Sequence, residues 1–458
     1  MNNANHHKHV LKVLFFGFKN SENQLNFSFY KPKQICLNLY TIFYMISFDN
    51  TEYAFAYKTD SELKKADFLF STMGKPWLVK MGLTFMPSAI KLQIPFTKKI
   101  IRSTIFSQFV GGETLPETAL VAQKLGEYNV EVILDYGVEG GNDGEIGYDH
   151  ATDEFIKVIM YAATQKNIPF MSIKVTALVR FGLLETIDAG MGAIEGTLMK
   201  RYNAVLEALT VDELSEWKRV ITRITKICKA GIENNIGVLV DAEETWIQDP
   251  VDALAILMMV EFNKTKAVVY NTIQLYRHDR LQFLKDSCDA AKENFFILGA
   301  KLVRGAYMEK ERKRAIVKKY PSPIQPNKES TDRDYDNAVK FCIENIDEVA
   351  LIVASHNEQS NLYATKLLDK QNLPHNHHHI HFSQLYGMSD NITFNLAKSG
   401  CSVSKYLPFG PIDDVVPYLM RRAQENSSVS GQMGRELALI KKETNRRKSI
   451  RNKITEAS

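Results

Sequence analysis

The sequence predicts an α/β protein built as a distorted, TIM-like (β/α)8 barrel, with helices ahead of it and a further helix over its mouth. Three observations point there. From residue 130 onward, eight short Val/Ile-rich runs alternate with amphipathic stretches, as expected of strands covered on both faces. The first run continues as Asp135-Tyr136-Gly137-Val-Glu-Gly-Gly-Asn-Asp-Gly144. It lacks the glycine spacing that opens a dinucleotide-binding sheet, so the rival doubly wound fold is less well supported. Finally, nearly every run ends on a polar residue, and the carboxyl ends of its strands are where a barrel carries its chemistry.

The expected strands are Val130–Asp135, Phe170–Val175, Ile236–Asp241, Val268–Leu275, Phe296–Val303, Ala350–Ser355, His379–Gln384 and Val403–Tyr406. Helical patterns between them cover Glu154–Gln165, Val211–Ala230, Pro250–Phe262, Arg277–Lys292, Tyr335–Glu344 and Ser360–Lys370. Residues 60–125 read as peripheral and helical. Leu63, Ala66, Leu69, Phe70 and Met73 form one apolar face behind Asp60-Ser61-Glu62, and Pro76 and Pro87 are expected to interrupt the pattern. The implied organisation is an N-terminal extension over 1–44, a helical segment over 45–125, the barrel over 126–440 and a basic tail over 441–458. Met45-Ile-Ser-Phe-Asp-Asn-Thr-Glu52 reads like an ordinary protein start. Residues 1–44 are therefore expected to be disordered or not made.

Composition narrows the function classes. The 458 residues carry a net charge of +4, concentrated at the two ends, so the body between is slightly acidic and gives no reason to expect nucleic acid. The tail (Lys441, Lys442, Arg446, Arg447, Lys448, Arg451, Lys453) reads as a solvated end or as a weak attractor for an anionic membrane surface. The longest apolar stretches, such as Ala253–Val260, are too short to span a bilayer. Five scattered cysteines exclude a disulfide scaffold and a cysteine zinc cluster. His375, His377, His378, His379 and His381 crowd one region without metal-ligand spacing. They are read as a surface loop, and no metal is expected.

The polar strand ends are Lys174, Asp241 with Glu243 and Glu244, Gln274 with Tyr276, Lys301 with Arg304, His356 with Asn357, Gln384, and Lys405 with Tyr406. Glu243, Glu244 and Asn357 fit helix capping as well as a site, whereas a buried Lys174, Asp241 or Lys301 would need a partner. After the eighth run, Pro408-Phe409-Gly410-Pro411 leads into a helix with Asp413-Asp414 in its first turn, where the dipole favours them. Spacing puts Tyr418, Arg422 and Glu425 on one face with Arg421 beside them, a fork suited to a small carboxylate or else a solvent-facing ion-pair ladder. Gly387, Gly400 and Gly410 stand in turns near the phosphate positions of barrels. No Ser or Cys sits on a nucleophile elbow, so the residues suit binding and electrostatics around an organic cofactor that performs the hard step.

Several ordered motifs resemble the proline dehydrogenases, flavoenzymes that oxidise L-proline to Δ1-pyrroline-5-carboxylate. They are Lys301-Leu-Val-Arg-Gly-Ala-Tyr307, Asp241-Ala-Glu-Glu244, Tyr320-Pro-Ser-Pro-Ile-Gln-Pro326, Tyr406-Leu-Pro-Phe-Gly-Pro411 and Tyr418-Leu-Met-Arg-Arg-Ala-Gln-Glu-Asn426. The likeness runs from about Phe48 to about Lys441 and is nearer the single-function, mitochondrial type than the fused bifunctional one. The resemblance implies that Arg421 and Arg422 hold the proline carboxylate, steadied by Glu425 and Lys174. It implies that Asp241 lies at the flavin edge, that Tyr307 and Tyr406 shape the pocket, and that Leu385 packs on the substrate ring. Gln274, Lys301, Val303, Gly305 and Ala306 would line FAD, and His356 and Asn357 would lie near its phosphates or ribityl chain. Lys301 stands where the fused bacterial members carry arginine, Arg304 where they carry lysine, and Met308 where they carry tryptophan.

The implied reaction is hydride transfer from proline C5 to flavin N5, followed by reoxidation by ubiquinone or menaquinone at a membrane. Contact with that membrane would be peripheral, and a homo-oligomer remains open. Residues 1–44 lack the Arg-rich amphipathic pattern of a transit peptide. A bacterial cytoplasmic protein at the inner membrane is therefore expected, with a mitochondrial site as the alternative. The rival readings are a barrel lyase or isomerase without flavin and a non-catalytic amino-acid-binding barrel.

Overall fold

A computed structural model describes residues 46–92, 94–137, 144–428 and 430–457, with side chains at all of these except 76, 87, 425–428, 430–433 and 457. The expectation for residues 1–44 lies outside the described residues. Eight parallel strands close on themselves in sequence order: β1 (Glu131–Tyr136), β2 (Phe170–Ile173), β3 (Gly237–Val240), β4 (Val269–Gln274), β5 (Leu298–Val303), β6 (Val349–Ala354), β7 (Ile380–Leu385) and β8 (Val403–Phe409). The (β/α)8 class is as the sequence predicts.

The strand ends differ from the pattern in instructive places. β2 and β3 stop one or two residues early, so Lys174 and Asp241 project from the rim rather than from the ladder. β8 runs on to Phe409, pairing Pro408 with Asp135 of β1. A proline normally ends a strand because it lacks the ladder donor. Here Pro408 lies beyond the last pair with β7, Leu385 with Tyr406, so no bond to that neighbour is lost.

Every helical pattern between the strands is a helix, and two begin more than a turn earlier than expected, at Gly144 and Lys328. Four helices were not anticipated. Phe181–Gly192 carries three glycines, which weaken helix propensity. It is followed by Leu198–Ala208 before β3. Met308–Lys318 is charged nearly all round. Asp390–Lys398 buries Asp390, Asn391, Thr393 and Asn395 alongside its apolar residues, so it shows no polar stripe. Inside the barrel, Ile133, Leu239, Tyr270, Ala350 and Ile352 fill the space beneath the mouth. A larger apolar layer lies between strands and helices.

The N-terminal segment is helical over Asp60–Met73, Pro76–Lys91, Thr97–Ile101 and Leu115–Gly126. Thr59 and Glu62 close a reciprocal capping box on the first of these. Pro76 does not interrupt the pattern; it opens the second helix, where its missing N–H costs nothing, and the helix continues through Pro87. The basic residues read as a tail lie in a helix over Ser430–Ala457. Glu443 of that helix is fully buried and accepts from Arg446 (2.8 Å) and Arg447 (2.8 Å). Arg447 also donates to the Phe55 (2.9 Å) and Lys58 (2.9 Å) carbonyls, and Arg451 pairs with Asp60 at 2.8 Å. With Arg446 3.5 Å from Glu52 and Lys442 donating to the Asp49 carbonyl (2.8 Å), four of the tail's cations engage the segment before the barrel.

Candidate active site

The C-terminal rim of the barrel gathers most of the residues singled out from sequence. Asp241, just past β3, is the centre. Its Oδ1 accepts from the Lys301 ammonium of β5, and its Oδ2 accepts from the Tyr406 hydroxyl of β8 at 2.7 Å. Lys301 also lies 5.3 Å from the Tyr406 ring centroid, within cation–π range. Burial pushes the Asp241 carboxyl up, but Lys301 and Lys174 outweigh it and hold the group below the usual carboxylate range. Lys174 reaches Asp135 of β1 at 3.3 Å. Burial opposes its charge, yet Asp135, Asp241 and Glu243 together raise its pKa above the ordinary lysine value. Four strands therefore converge on one alternating arrangement of carboxylates and ammonium groups.

Glu243 is a further member. It is buried, and the Thr176 hydroxyl donates to it at 2.9 Å. Burial pushes its carboxyl up to about 7, with Lys174 and Thr176 pulling the other way. It therefore faces the site rather than capping a helix. Glu244 pairs with Lys310 instead, tying the loop after β3 to the helix Met308–Lys318. From sequence, Asp135 stands only as the end of the first strand. An acidic residue on a buried run was the available signal.

Gln274, at the end of β4, donates Nε2 to the Glu243 carbonyl at 2.8 Å, while its buried Oε1 has no hydrogen-bond partner. At the end of β5, Val303 is half-buried, and beyond it Gly305 and Ala306 are exposed. Gly305 has φ +130°, and a Cβ there would run into the Tyr276 ring, so only glycine fits this turn. Tyr307 is half-buried. Its pKa is raised, first by burial and then by Glu243, while the charges of Arg421 and Lys174 oppose that rise. Arg421 thus acts on the same corner of the mouth as Tyr307 and Lys174. Leu385 ends β7 opposite Tyr406 and is half-buried.

The helix expected over the mouth runs Ile412–Ser428 and carries Pro417 in its interior. Arg422 is buried, its guanidinium carbon 5.2 Å from the Tyr418 ring centroid. Its charge acts on His356, whose pKa is pushed down to about 3 by burial, then by Lys405, Arg422 and Arg304. Arg421 thus acts on Tyr307 after β5 and Arg422 on His356 after β6. The side chain of Glu425 lies outside the described residues.

Further polar residues near the strand ends have partners within the protein. Asn357 caps the helix Glu358–Lys370, accepting from the Gln359 N–H (2.9 Å) and Ser360 N–H (3.1 Å). His356 Nδ1 lies 2.9 Å from the Ser389 hydroxyl. Arg304 is held by Asp332 (2.8 Å), Ser355 (2.8 Å) and Ser360 (2.9 Å). Lys405 points away from the mouth, because successive strand residues alternate faces. The histidines are not a surface loop throughout. His379 is buried on the Ile346 carbonyl (2.7 Å), and His381 is buried on Ser404 (2.6 Å) near the start of β7, at the barrel's other end. At Gly387, with φ +77°, a Cβ would strike the Gln108 carbonyl. Close backbone packing accounts for that glycine.

Comparison with known proteins matches this frame. The family model for proline dehydrogenase matches residues 120–435. The chain is 35% identical to a carbapenem antibiotics biosynthesis protein of Pectobacterium carotovorum, over 75% of this chain and 85% of that protein. It is 31% identical to proline dehydrogenase 1 of Dictyostelium discoideum, over 76% of this chain and 65% of that one. It is also 31% identical to hydroxyproline dehydrogenase of Xenopus laevis, over 76% and 78%. Among solved structures it is similar to proline utilization A from Bdellovibrio bacteriovorus inactivated by N-propargylglycine, with a TM-score of 0.65 and 20% identity, covering 83% of this chain and 42% of that one. That likeness speaks to the fold. With its matched residues spanning the whole barrel, the chain belongs to the proline dehydrogenase family.

Proposed function

We propose that the protein oxidises L-proline to Δ1-pyrroline-5-carboxylate with FAD as cofactor, and that a membrane quinone takes up the electrons. The observation that carries this reading is the Lys301–Asp241–Tyr406 arrangement at the barrel mouth, with Lys174 and Arg421 acting on the Tyr307 corner beside it. The residues fit a flavin. Buried Gln274 Oε1 is an acceptor without a protein donor, of the kind a ring N–H satisfies. Gly305 and Ala306 are exposed at the rim, and the Lys301 ammonium supplies positive charge inside the mouth. When bound, FAD would supply the hydride acceptor that the side chains themselves cannot provide.

The chain's own groups have distinct tasks. Arg421 and Lys174 keep the Tyr307 corner cationic, which suits an amino-acid carboxylate. Arg422, anchored against Tyr418, provides a second guanidinium on the same helix. Tyr307 and Leu385 wall the space in which a five-membered ring would lie. Tyr406 is oriented by its bond to Asp241, and Asp241 is held ionised by Lys301 and Lys174, so the rim is preorganised. Glu243, with a carboxyl near 7, changes its proton occupancy around neutrality while Lys174 stays charged.

Among the described residues no helix is long and apolar enough to cross a membrane, so delivery of electrons to a quinone would take place by peripheral contact. The deciding experiment is the visible spectrum of the purified protein before and after anaerobic L-proline, with 4-hydroxyproline in parallel. Bleaching of a flavin band by proline is expected. A colourless protein that never retains FAD, or a yellow one that proline does not bleach, defeats the reading.

A further inference from the structure

The helix Pro76–Lys91 is apolar on two faces, and only one of them is used. Val79, Leu83, Met86 and Ile90 face inward onto the apolar layer shared with the mouth helix Ile412–Ser428. On the opposite side Trp77, Met81 and Phe85, four residues apart, stand in solvent, Trp77 at 64% exposure. The surface continues past the helix through Leu92, Phe96 (74% exposed) and Ile100. A cleft of about 520 Å³ lies within it, lined by Ile90, Ile94, Pro95 and Phe96, with Lys98 and Lys99 at its edge. A contiguous exposed apolar surface of this kind is an interaction site.

The charges indicate what covers it. From Phe68 to Gly112 there is no Asp or Glu, while Lys75, Lys80, Lys91, Lys98, Lys99 and Arg102 all fall there. Lys75, Lys80, Lys91 and Lys99 are exposed around the aromatic stripe. Lys98 joins the segment to the mouth helix through Asp413 at 2.7 Å. A protein partner's interface core is depleted in lysine. An anionic bilayer surface favours this combination instead: Trp and Phe at headgroup depth, lysine stems along the apolar surface, and ammonium groups among lipid phosphates.

We propose that residues 77–92 and 94–100 carry the surface by which this protein docks on an anionic lipid bilayer, lying in the interface without crossing it. The docking surface packs directly behind the helix that carries Arg421 and Arg422, so the membrane would sit against the wall of the active-site mouth. The proposal deepens the reading of a membrane quinone and rests on it for its purpose, but it draws its support from the surface itself.

The test uses full-length holoenzyme without substrate, sedimented with vesicles of phosphatidylglycerol mixed with phosphatidylcholine, or of phosphatidylcholine alone. Wild type is expected to partition onto the anionic vesicles and to release at high ionic strength. The triple variant Trp77→Ser, Phe85→Ser, Phe96→Ser is expected to lose about tenfold or more of that partition, with dye-linked proline oxidation unchanged. A second measurement does not depend on how that variant folds. Trp77 is one of three tryptophans, and Trp217 and Trp246 lie in the barrel region. Lipids brominated on their acyl chains should quench the wild-type fluorescence, and Trp77→Phe, which keeps the surface apolar, should abolish the quenching. The proposal is overturned if wild type ignores anionic vesicles, if the triple variant sediments equally well, or if quenching persists in Trp77→Phe. It is equally overturned if light scattering shows the stripe closing a dimer that does not bind vesicles. Dye-linked turnover is scored separately, so failure of the redox reading and failure of this surface are distinguishable.

Discussion

Adjacent residues of β8 enter two different buried ion clusters. Tyr406 faces the mouth and joins Asp241 and Lys301. Lys405 faces the outer layer, where its fully buried ammonium meets Asp390 at 2.9 Å and the Met388 carbonyl at 2.6 Å. Asp390 also accepts from the Tyr57 hydroxyl at 2.7 Å, Lys58 lies 3.7 Å away, and Glu436 accepts from the Ser389 N–H at 2.9 Å. The outer cluster thus joins the segment before the barrel, the helix after β7 and the last helix. Both clusters contain a lysine, an aspartate and a tyrosine. They differ in access: the Asp241 and Lys174 side chains keep part of their surface open, whereas Asp390 and Lys405 are sealed. Similar groups can therefore serve chemistry where one side is left for a ligand, and cohesion where none is.

The sharpest way to break this comparison is to remove one partner from each cluster. Lys405→Met leaves the buried Asp390 carboxylate with the Tyr57 hydroxyl and the more distant Lys58 as partners, and should cost about 3–5 kcal/mol of stability in urea denaturation. Asp241→Asn should instead reduce proline turnover on the order of 10²-fold, because Tyr406 and Lys301 lose the charge that orients them. Its urea midpoint should move much less than that of Lys405→Met. If the two variants exchange these phenotypes, access is not what separates the clusters.

A smaller effect sharpens the comparison inside the mouth. Arg421 acts on the Tyr307 and Lys174 corner, where a carboxylate would bind. Arg421→Met should raise the proline KM about tenfold through loss of a charge-assisted contact, with FAD content unchanged. Steady-state kinetics and the ratio of flavin to protein absorbance measure the two parts. An unaltered KM would place the carboxylate elsewhere.

How much of this was legible beforehand follows physical lines. The strands showed because both of their faces are covered, which leaves uninterrupted apolar runs. Lys174, Asp241 and Lys301 stood out because a charge at the end of such a run needs a partner. Which partner it finds depends on the strand's face and neighbours. Lys405 and Tyr406 looked equivalent in sequence, and one residue of register sends them to opposite sides. Asn357 was ambiguous between cap and ligand because its side chain suits both, and its Oδ1 is bonded to two backbone N–H groups. The helix Asp390–Lys398 was illegible because its polar residues are buried against other elements. The docking of the last helix is hidden likewise, since a basic run reads as solvated until Asp60 is brought beside it.

The smallest effect concerns Glu243, the buried carboxyl of the open cluster, and its response to pH. Burial raises its carboxyl to about 7 in the folded chain, against roughly 4.3 in an unfolded one. The folded state therefore holds this proton more tightly. The associated stability is fully present below the unfolded value and is lost as pH rises through the folded value. Glu243→Gln keeps the shape and cannot ionise, so it should flatten that slope. Between about pH 6 and about pH 7.5 wild type should lose about 1.2 kcal/mol relative to the variant, read from paired urea midpoints. The same ionisation lies beside Lys174, so the pH profile of kcat/KM for proline should lose a limb near neutrality in Glu243→Gln. Parallel profiles for the two proteins would remove Glu243 from the site and leave it a buried carboxyl bonded to Thr176.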